Sequence, residues 1–204
     1  MSLIKKLPLR IACDGESASG KSFASKAIAK RYKLFCMNSG LLFRFASLLI
    51  IKHRPKKIIP FLRKKFKNLN YKKITRLNLH AQEISNHVVL LAQQKGVRTI
   101  IRIFQKKKIK KYPRICCEGR DQASTILRKN PRYDVAFYFK CNLNTASLRR
   151  WLDLKKKVPL KEVKKSLRTR TLLDKTRHHN PLKKMTDAVL IRTDILSKKA
   201  MVAK

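Results

Sequence analysis

Acidic side chains are scarce in this sequence. It has 11 Asp and Glu against 52 Lys and Arg in 204 residues, which gives a formal net charge of +41. A charge of this sign and size ordinarily indicates a nucleic-acid or anionic membrane partner. The lysines are scattered through every segment, however, and few aromatic residues alternate with them as a platform for stacked bases would require. A lysine bias of the source genome would give the same composition, so we expect contact with nucleic acid to be non-specific only.

Long apolar runs are also missing. The longest, Leu41 to Ile51, is interrupted by Arg44 and is too short to cross a membrane. The first residues lack the basic, apolar and small-residue order of a signal peptide. We therefore expect a cytoplasmic protein with no membrane partner.

The cysteines lack the C-x-x-C spacing that a zinc or redox site would need. Most of them lie within apolar runs, which indicates reduced residues of the protein core. They are Cys13, Cys36, Cys116, Cys117 and Cys141.

The length and the apolar content of 44% indicate a single globular domain over residues 1–204, which we expect to be a monomer. Apolar periodicity predicts strands that alternate with helices, and hence an α/β fold with a parallel sheet covered on both faces. The predicted strands are Leu9–Cys13, Leu34–Met37, Arg114–Glu118, Val135–Lys140 and Ala188–Arg192. The predicted helices are Lys21–Tyr32, Gly40–Lys52, Ala81–Gln94, Val97–Lys107 (joined to the one before it near Gly96), Asn144–Lys155 and Pro159–Leu173. Residues 53–80, rich in Lys and Arg with Pro55 and Pro60, are interpreted as a connection with little structure of its own.

The strongest motif is a complete G-x-x-x-x-G-K-[ST] pattern between the first predicted strand and helix. Its glycines let the backbone curl so that successive N–H groups face phosphate oxygens, and the helix N-terminus adds partial positive charge. The lysine is expected in a solvent-facing loop, reaching the β- and γ-phosphates of ATP, and the final hydroxyl is a ligand for Mg²⁺. The motif comprises Gly15, Glu16, Ser17, Ala18, Ser19, Gly20, Lys21 and Ser22.

This motif, the P-loop, indicates a nucleoside triphosphate but does not identify the molecule that accepts the phosphoryl group. Three further segments of the sequence help to identify that acceptor. Ser39 and Arg44 lie at the start of a predicted helix, a good seat for a monophosphate, although a simple helix cap has the same pattern. The string Glu118 to Asp121 follows a buried strand, where ligands gather in open parallel sheets; an N-cap with a local ion pair is the alternative.

The third segment lies near the end of a predicted helix. Arg170, Asp174 and Arg177 recur at i, i+4 and i+7, so they share one face if the helix continues that far. A mobile lid that carries arginines is the functional interpretation, and a solvated basic face with one ion pair is the alternative.

In order and spacing, the strings DGESASGKS, NSGLLFR, EISNHV…GVR, CCEGRD and RTRTLLDKTRHHNPL resemble the bacterial cytidylate kinase family, except over about residues 53–78. The resemblance implies the P-loop kinase fold, a five-stranded parallel sheet flanked by helices. It also implies a monophosphate-binding insertion at about residues 53–107 and a helical lid at about 153–183. The implied activity is phosphorylation of CMP and dCMP with ATP and Mg²⁺.

The resemblance also implies a role for each matching residue. Around CMP, Ser39, Arg44 and Arg120 would contact the phosphate and sugar, Arg98 and Asp121 the cytosine edge, and Asp174 the ribose. Lys21, Arg170 and Arg177 would be the catalytic cations that stabilise the transferring group. Ser22 would bind Mg²⁺.

Several positions depart from the family pattern. Glu16 stands where the P-loop usually has proline, Asn38 where it has an acid, and Phe43 where it has a tyrosine. In the lid, Thr171, Leu173 and Thr176 replace family residues, with the loss of one arginine and one acid. Val89 falls at the position of the base-contacting serine. We expect the fold and the phosphate-binding groups to survive these changes better than selectivity for the base does.

Two other functions remain open from the sequence. The first is a P-loop small-molecule kinase with a different acceptor, which would not need Arg98 and Asp121. The second is a decayed kinase that acts as a basic nucleic-acid-binding protein, which the net charge and the missing lid groups favour.

Overall fold

A five-stranded parallel sheet is the scaffold of this computed structural model, which describes residues 7–197 and Ala200. The strand order is β2-β3-β1-β4-β5, and β1 pairs in parallel with both β3 and β4. From Ile11 onward β1 is buried, because strands in the middle of a parallel sheet are covered on both faces. The strands are β1 (Leu9–Gly15), β2 (Phe35–Asn38), β3 (Arg114–Glu118), β4 (Val135–Lys140) and β5 (Val189–Arg192). All five predicted strands are confirmed.

The predicted helices are also confirmed, with ends that shift by a few residues. Gly96, predicted to join two helices, instead lies in the first turn of α6, so that junction was wrong. A π-helical turn over Gln122–Ile126 was not predicted. The helices are α1 (Lys21–Arg31), α2 (Ser39–His53), α3 (Ile58–Lys67), α4 (Tyr71–Ile74), α5 (Gln82–Leu91), α6 (Lys95–Lys111), α7 (Leu143–Asp153) and α8 (Leu160–Thr176).

The prediction that residues 53–80 have little structure is wrong, because α3 and α4 lie there. Leu62 and Phe66 are four residues apart and are both buried, while the lysines between them are exposed. This is the pattern of an amphipathic helix, which the high charge of the segment obscured. Pro60 is tolerated because it lies in the first turn of α3, where a backbone N–H has no partner within the helix.

Two parts of the chain are compact by themselves. The first comprises, of the described residues, 7–37, 113–197 and Ala200, and its core contains Ile11, Phe139 and Ile191 packed around the sheet. The second comprises residues 38–112, and its regular elements after Asn38 are all helices; in it the ring of Phe66 packs edge-on against that of Phe104 at 6.0 Å between centroids.

The cysteines mostly belong to the core, as the sequence predicted. Four are buried, namely Cys13, Cys116, Cys117 and Cys141, and all carry free thiols. Cys36 is only half-buried. Among the described residues, no helix has both the length and the apolar character needed to span a bilayer.

The end of β1 approaches β4 very closely at Gly15. This glycine has φ of 149°, a conformation that residues with a side chain rarely adopt. A Cβ placed on it would overlap the carbonyl oxygen of Phe139 and lie 2.8 Å from the Phe139 nitrogen. The loop that follows β1 therefore depends on glycine at this position.

Gly15→Ala should destabilise the protein far more than Gly20→Ala, although both change a P-loop glycine. At Gly15 two backbones must separate, which we expect to cost more than about 4 kcal/mol or to prevent folding. At Gly20 a Cβ has room, 3.7 Å from Thr193, and only the left-handed φ of 75° costs about 1–2 kcal/mol. Urea unfolding of both variants measures the difference; equal losses would contradict it.

Candidate active site

The loop between β1 and α1 is braced on both sides. On one side the Glu16 N–H donates to the Phe139 carbonyl of β4 at 3.2 Å. On the other, the Thr193 hydroxyl, just beyond β5, donates to the Ser19 carbonyl at 3.1 Å. Gly20, in the left-handed conformation, is the N-cap of α1, so the loop leads directly into the N-terminus of that helix. This is the arrangement that holds phosphates in P-loop proteins.

Lys21 is buried, with 5% of its surface exposed, so the expectation of a solvent-facing position is wrong. The loop curls over the side chain, whose ammonium donates to the Glu16 carbonyl at 2.6 Å and lies 3.4 Å from the Ser19 hydroxyl. Burial, reinforced by the positive charge of Arg120, lowers the pKa of Lys21 to about 7. Near neutral pH the Lys21 side chain is therefore only partly protonated. A bound phosphate would favour the protonated form and raise its pKa.

Ser22 meets Glu118, which the sequence analysis named in the string Glu118 to Asp121 but to which it gave no role of its own. The Ser22 hydroxyl donates to one oxygen of Glu118 at 2.6 Å, and the Ser25 hydroxyl donates to the other at 3.3 Å. Glu118 ends β3, the neighbour of β1, and is 5% exposed. Hydroxyl and carboxylate oxygens are ligands that Mg²⁺ prefers. The described residues contain no cluster of three metal-binding side chains, so a magnesium ion here would also need phosphate oxygens.

Asp14, which the sequence reasoning passed over, anchors the segment after β3. Its carboxylate accepts the backbone N–H groups of Gln122 and Ala123 at 2.9 and 2.8 Å. Burial raises the pKa of Asp14 to about 7, even though these two hydrogen bonds favour the ionised form. The anchored turn begins immediately after Arg120 and Asp121, so Asp14 holds that pair next to the P-loop. The only sequence signal was a charged residue at the end of a buried strand.

Arg120 links the P-loop to α8. Its Nε donates to an Asp174 oxygen at 2.8 Å, and another guanidinium nitrogen donates to the Ser17 hydroxyl at 3.0 Å. Arg177 donates to the second oxygen of Asp174 at 3.2 Å. Burial alone would raise the pKa of Asp174, but the charges of Arg120, Arg170 and Arg177 outweigh it and hold that pKa below its usual value. The ion pair that the sequence suggested near Arg120 thus reaches across the fold rather than staying local.

Helix α8 ends at Thr176, so Arg177 is its C-cap rather than part of it. The guanidinium still reaches Asp174 and the Asn180 carbonyl, and Arg177 is buried. Predicted site residues of the P-loop, of the segment after β3 and of α8 therefore lie together in this compact part of the chain. The contacts assigned to Asp121, Asp174 and the arginines on substrate stay predictions.

The remaining predicted residues, Ser39, Arg44 and Arg98, lie in the part that covers residues 38–112. Ser39 is buried in the first turn of α2, whose cap is Asn38. Arg44 is buried and donates to the Leu79 carbonyl at 2.9 Å and the Ser85 hydroxyl at 2.8 Å.

Arg98 donates to the Ala92 carbonyl at 3.1 Å and lies over the Phe43 ring, 5.5 Å from its centroid. Both arginines are thus held by local contacts in this part of the chain. Val89 is half-buried in α5. The contacts of these residues with CMP stay predictions.

A parallel sheet with this loop between β1 and α1 defines a P-loop kinase fold. The chain belongs to the cytidylate kinase family, because the family model described as Cytidylate kinase matches residues 11–204. The resemblance seen in the sequence is thereby confirmed.

Individual proteins agree with this membership. A cytidylate kinase of Phytoplasma mali (strain AT) is 29% identical over 90% of this chain and 86% of its own length. A cytidylate kinase of Bartonella tribocorum (strain CIP 105476 / IBS 506) is 28% identical over 96% and 92%. The solved structure of TT1252 from Thermus thermophilus is 13% identical, with a TM-score of 0.53 over 97% of this chain and 93% of that one, a likeness of fold alone.

The affinity for ATP should fall as the pH rises above about 7. The lowered pKa of Lys21 means that its ammonium loses a proton in this range, and phosphate binding must restore it. We expect a loss of up to about tenfold per pH unit, with uptake of a proton on binding. Calorimetric titration in two buffers of different ionisation enthalpy measures both quantities.

Lys21→Arg is the control, because an arginine does not titrate in this range while Asp14 still does. The affinity of this variant for ATP should depend little on pH, and any slope that remains reports Asp14. A pH-independent affinity in the unsubstituted protein would contradict the assignment of Lys21 to the phosphates.

Proposed function

We propose that this chain transfers the γ-phosphoryl group of ATP to CMP or dCMP and releases ADP with CDP or dCDP. The observation that carries the proposal is the complete P-loop, joined through Arg120 and Asp174 to an arginine-bearing helix, in a chain of the cytidylate kinase family. The names of the relatives support CMP as the acceptor.

The proposed reaction is an in-line displacement at the γ-phosphorus. An oxygen of the CMP phosphate forms the new P–O bond, and the bond from the γ-phosphorus to the β,γ-bridging oxygen breaks. ADP leaves with the electron pair of that bond. The phosphate monoester is already a competent nucleophile, so the protein need not remove a proton. Catalysis then consists mainly of positioning and of electrostatic stabilisation.

In this proposal the P-loop N–H groups and Lys21 hold the β- and γ-phosphates of ATP. Lys21 exchanges its contact with the Glu16 carbonyl, 2.6 Å away, for phosphate oxygens. Ser22 and Glu118 would hold Mg²⁺, which supplies positive charge that offsets the negative charge of the transferring group. Their fit rests on two oxygen-bearing side chains that already converge at 2.6 Å.

Arg170 and Arg177 act from the lid in the proposed mechanism. Asp174 and Arg120 keep them near the P-loop, because the Asp174 carboxylate attracts all three guanidinium groups. We assign recognition of CMP to Ser39, Arg44, Arg98, Arg120, Asp121 and Asp174, as the family resemblance implies. Val89 offers no hydrogen bond to the base, so discrimination between CMP and UMP should be loose.

ADP formation with CMP, dCMP, UMP and AMP as acceptors tests the proposal. CMP and dCMP should give the highest kcat/KM, and Lys21→Ala should lower kcat on the order of 10²-fold or more, as expected on removal of a preorganised charge. Circular dichroism of the variant checks that it folds. If none of the four nucleotides is phosphorylated, a different acceptor or a decayed kinase is favoured. If Lys21→Ala keeps full activity, the P-loop does not take part in catalysis.

Arg170→Ala and Arg177→Ala should each lower kcat more than they raise KM, because a lid charge acts mainly in the transition state. The two should differ in stability. Arg177 is buried and bonded to Asp174 and Asn180, so its loss should also lower the Tm, whereas Arg170 is only half-buried. Steady-state kinetics and a melting curve separate the effects; a rise in KM alone for both would indicate simple attraction by a basic surface.

A further inference from the structure

The P-loop and α8 are joined by an ion pair that the proposed mechanism does not use. Lys175 Nζ lies 2.7 Å from Glu16 Oε1, and these two residues are 159 positions apart in the chain. The Glu16 side chain is 13% exposed, whereas that of Lys175 is 46% exposed. The carboxylate is therefore largely shielded from water, whereas much of the lysine side chain is in contact with water.

Glu16 binds two cations through different atoms. Its backbone carbonyl accepts from Lys21 Nζ at 2.6 Å, and its carboxylate binds Lys175. The lid lysine is thus held beside the residue whose carbonyl already binds the P-loop lysine. A triphosphate bound in the loop would bring negative oxygens close to the Glu16 backbone, because Lys21 Nζ already lies there.

We propose that Lys175 is a catalytic residue that binds the phosphates of ATP from the lid, and that Glu16 is the positioning residue that holds it there. This inference rests on the proposed phosphoryl transfer. Lys175 adds positive charge at the γ-phosphoryl group as it moves from ADP to the acceptor. It forms no bond to phosphorus and takes up no proton.

Two physical arguments favour this role over a plain surface ion pair. Lysine is a flexible point charge, so Lys175 can exchange one carboxylate for phosphate oxygens with a small movement. Because the Lys175 side chain is 46% exposed, solvent screens the pair from that side, and the exchange costs little.

The competing explanation is that Lys175 only neutralises Glu16, whose carboxylate would otherwise repel ATP. The two explanations differ when the carboxylate is removed. If Lys175 only neutralises, Glu16→Gln should restore full activity to Lys175→Ala. If Lys175 binds phosphate, the Lys175→Ala defect should persist in the Glu16→Gln background.

The experiment measures kcat, KM and ATP affinity for the unsubstituted protein, Lys175→Ala, Lys175→Arg, Glu16→Gln and the Glu16→Gln/Lys175→Ala double variant. We expect Lys175→Ala to lower kcat by roughly 10- to 100-fold and ATP affinity by roughly 10-fold, with KM for CMP unchanged. Lys175→Arg should retain most of the activity. Lys164→Ala, an exposed lysine elsewhere on α8, is the matched control and should behave as the unsubstituted protein.

Two results would overturn the inference: a Lys175→Ala kcat within about twofold of the unsubstituted protein, or full recovery in the double variant. The affinity for ATP can be measured without an acceptor, so this part of the test does not depend on CMP being the substrate. If the unsubstituted protein does not phosphorylate CMP, the proposed function fails, while loss of ATP affinity in Lys175→Ala still supports the contact and unchanged affinity refutes it.

Discussion

The backbones of Gly15 and Phe139 lie so close together that no side chain fits between them, and the active-site loop begins at this contact. It fixes where β1 ends and in which direction the chain leaves the sheet. The next N–H, that of Glu16, then donates to Phe139, and α1 begins at Lys21 with its N-terminus pointing back at the loop. That turn presents the N–H groups of the loop and the N-terminus of α1 together, the arrangement that holds phosphates in P-loop proteins.

Two ionisable side chains near this turn, Lys21 and Asp14, are buried, which disfavours their charged forms. Burial lowers the pKa of Lys21 and raises that of Asp14, both to about 7, so each charged form is disfavoured in the protein by itself. Asp14 is compensated in part by two backbone N–H groups. Lys21 has a carbonyl oxygen and a distant hydroxyl, which are weaker partners for an ammonium than a phosphate is. A site built in this way is most favourable when an anion occupies it.

The high net charge, which dominates the composition, has a limited part in the site. Most of the lysines within the described residues lie on exposed faces of helices, as the lysines of α3 do opposite buried Leu62 and Phe66. Several of the cations to which the proposed mechanism gives a role are paired with acids, although Lys21 is not. Arg120 and Arg177 share Asp174, and Lys175 binds Glu16, so scarce acids decide where the abundant cations are held.

The sequence by itself determined the strands, most of the helices and the P-loop, because each depends on residues close together in the chain. Apolar periodicity and the spacing of two glycines from a lysine are local patterns. The pairing of Asp14 with residues 122 and 123, of Thr193 with Ser19, and of Glu16 with Lys175 was decided only by the tertiary structure. These partners lie more than 100 positions apart, and the strand order β2-β3-β1-β4-β5, which no local pattern encodes, brings them to the same end of the sheet.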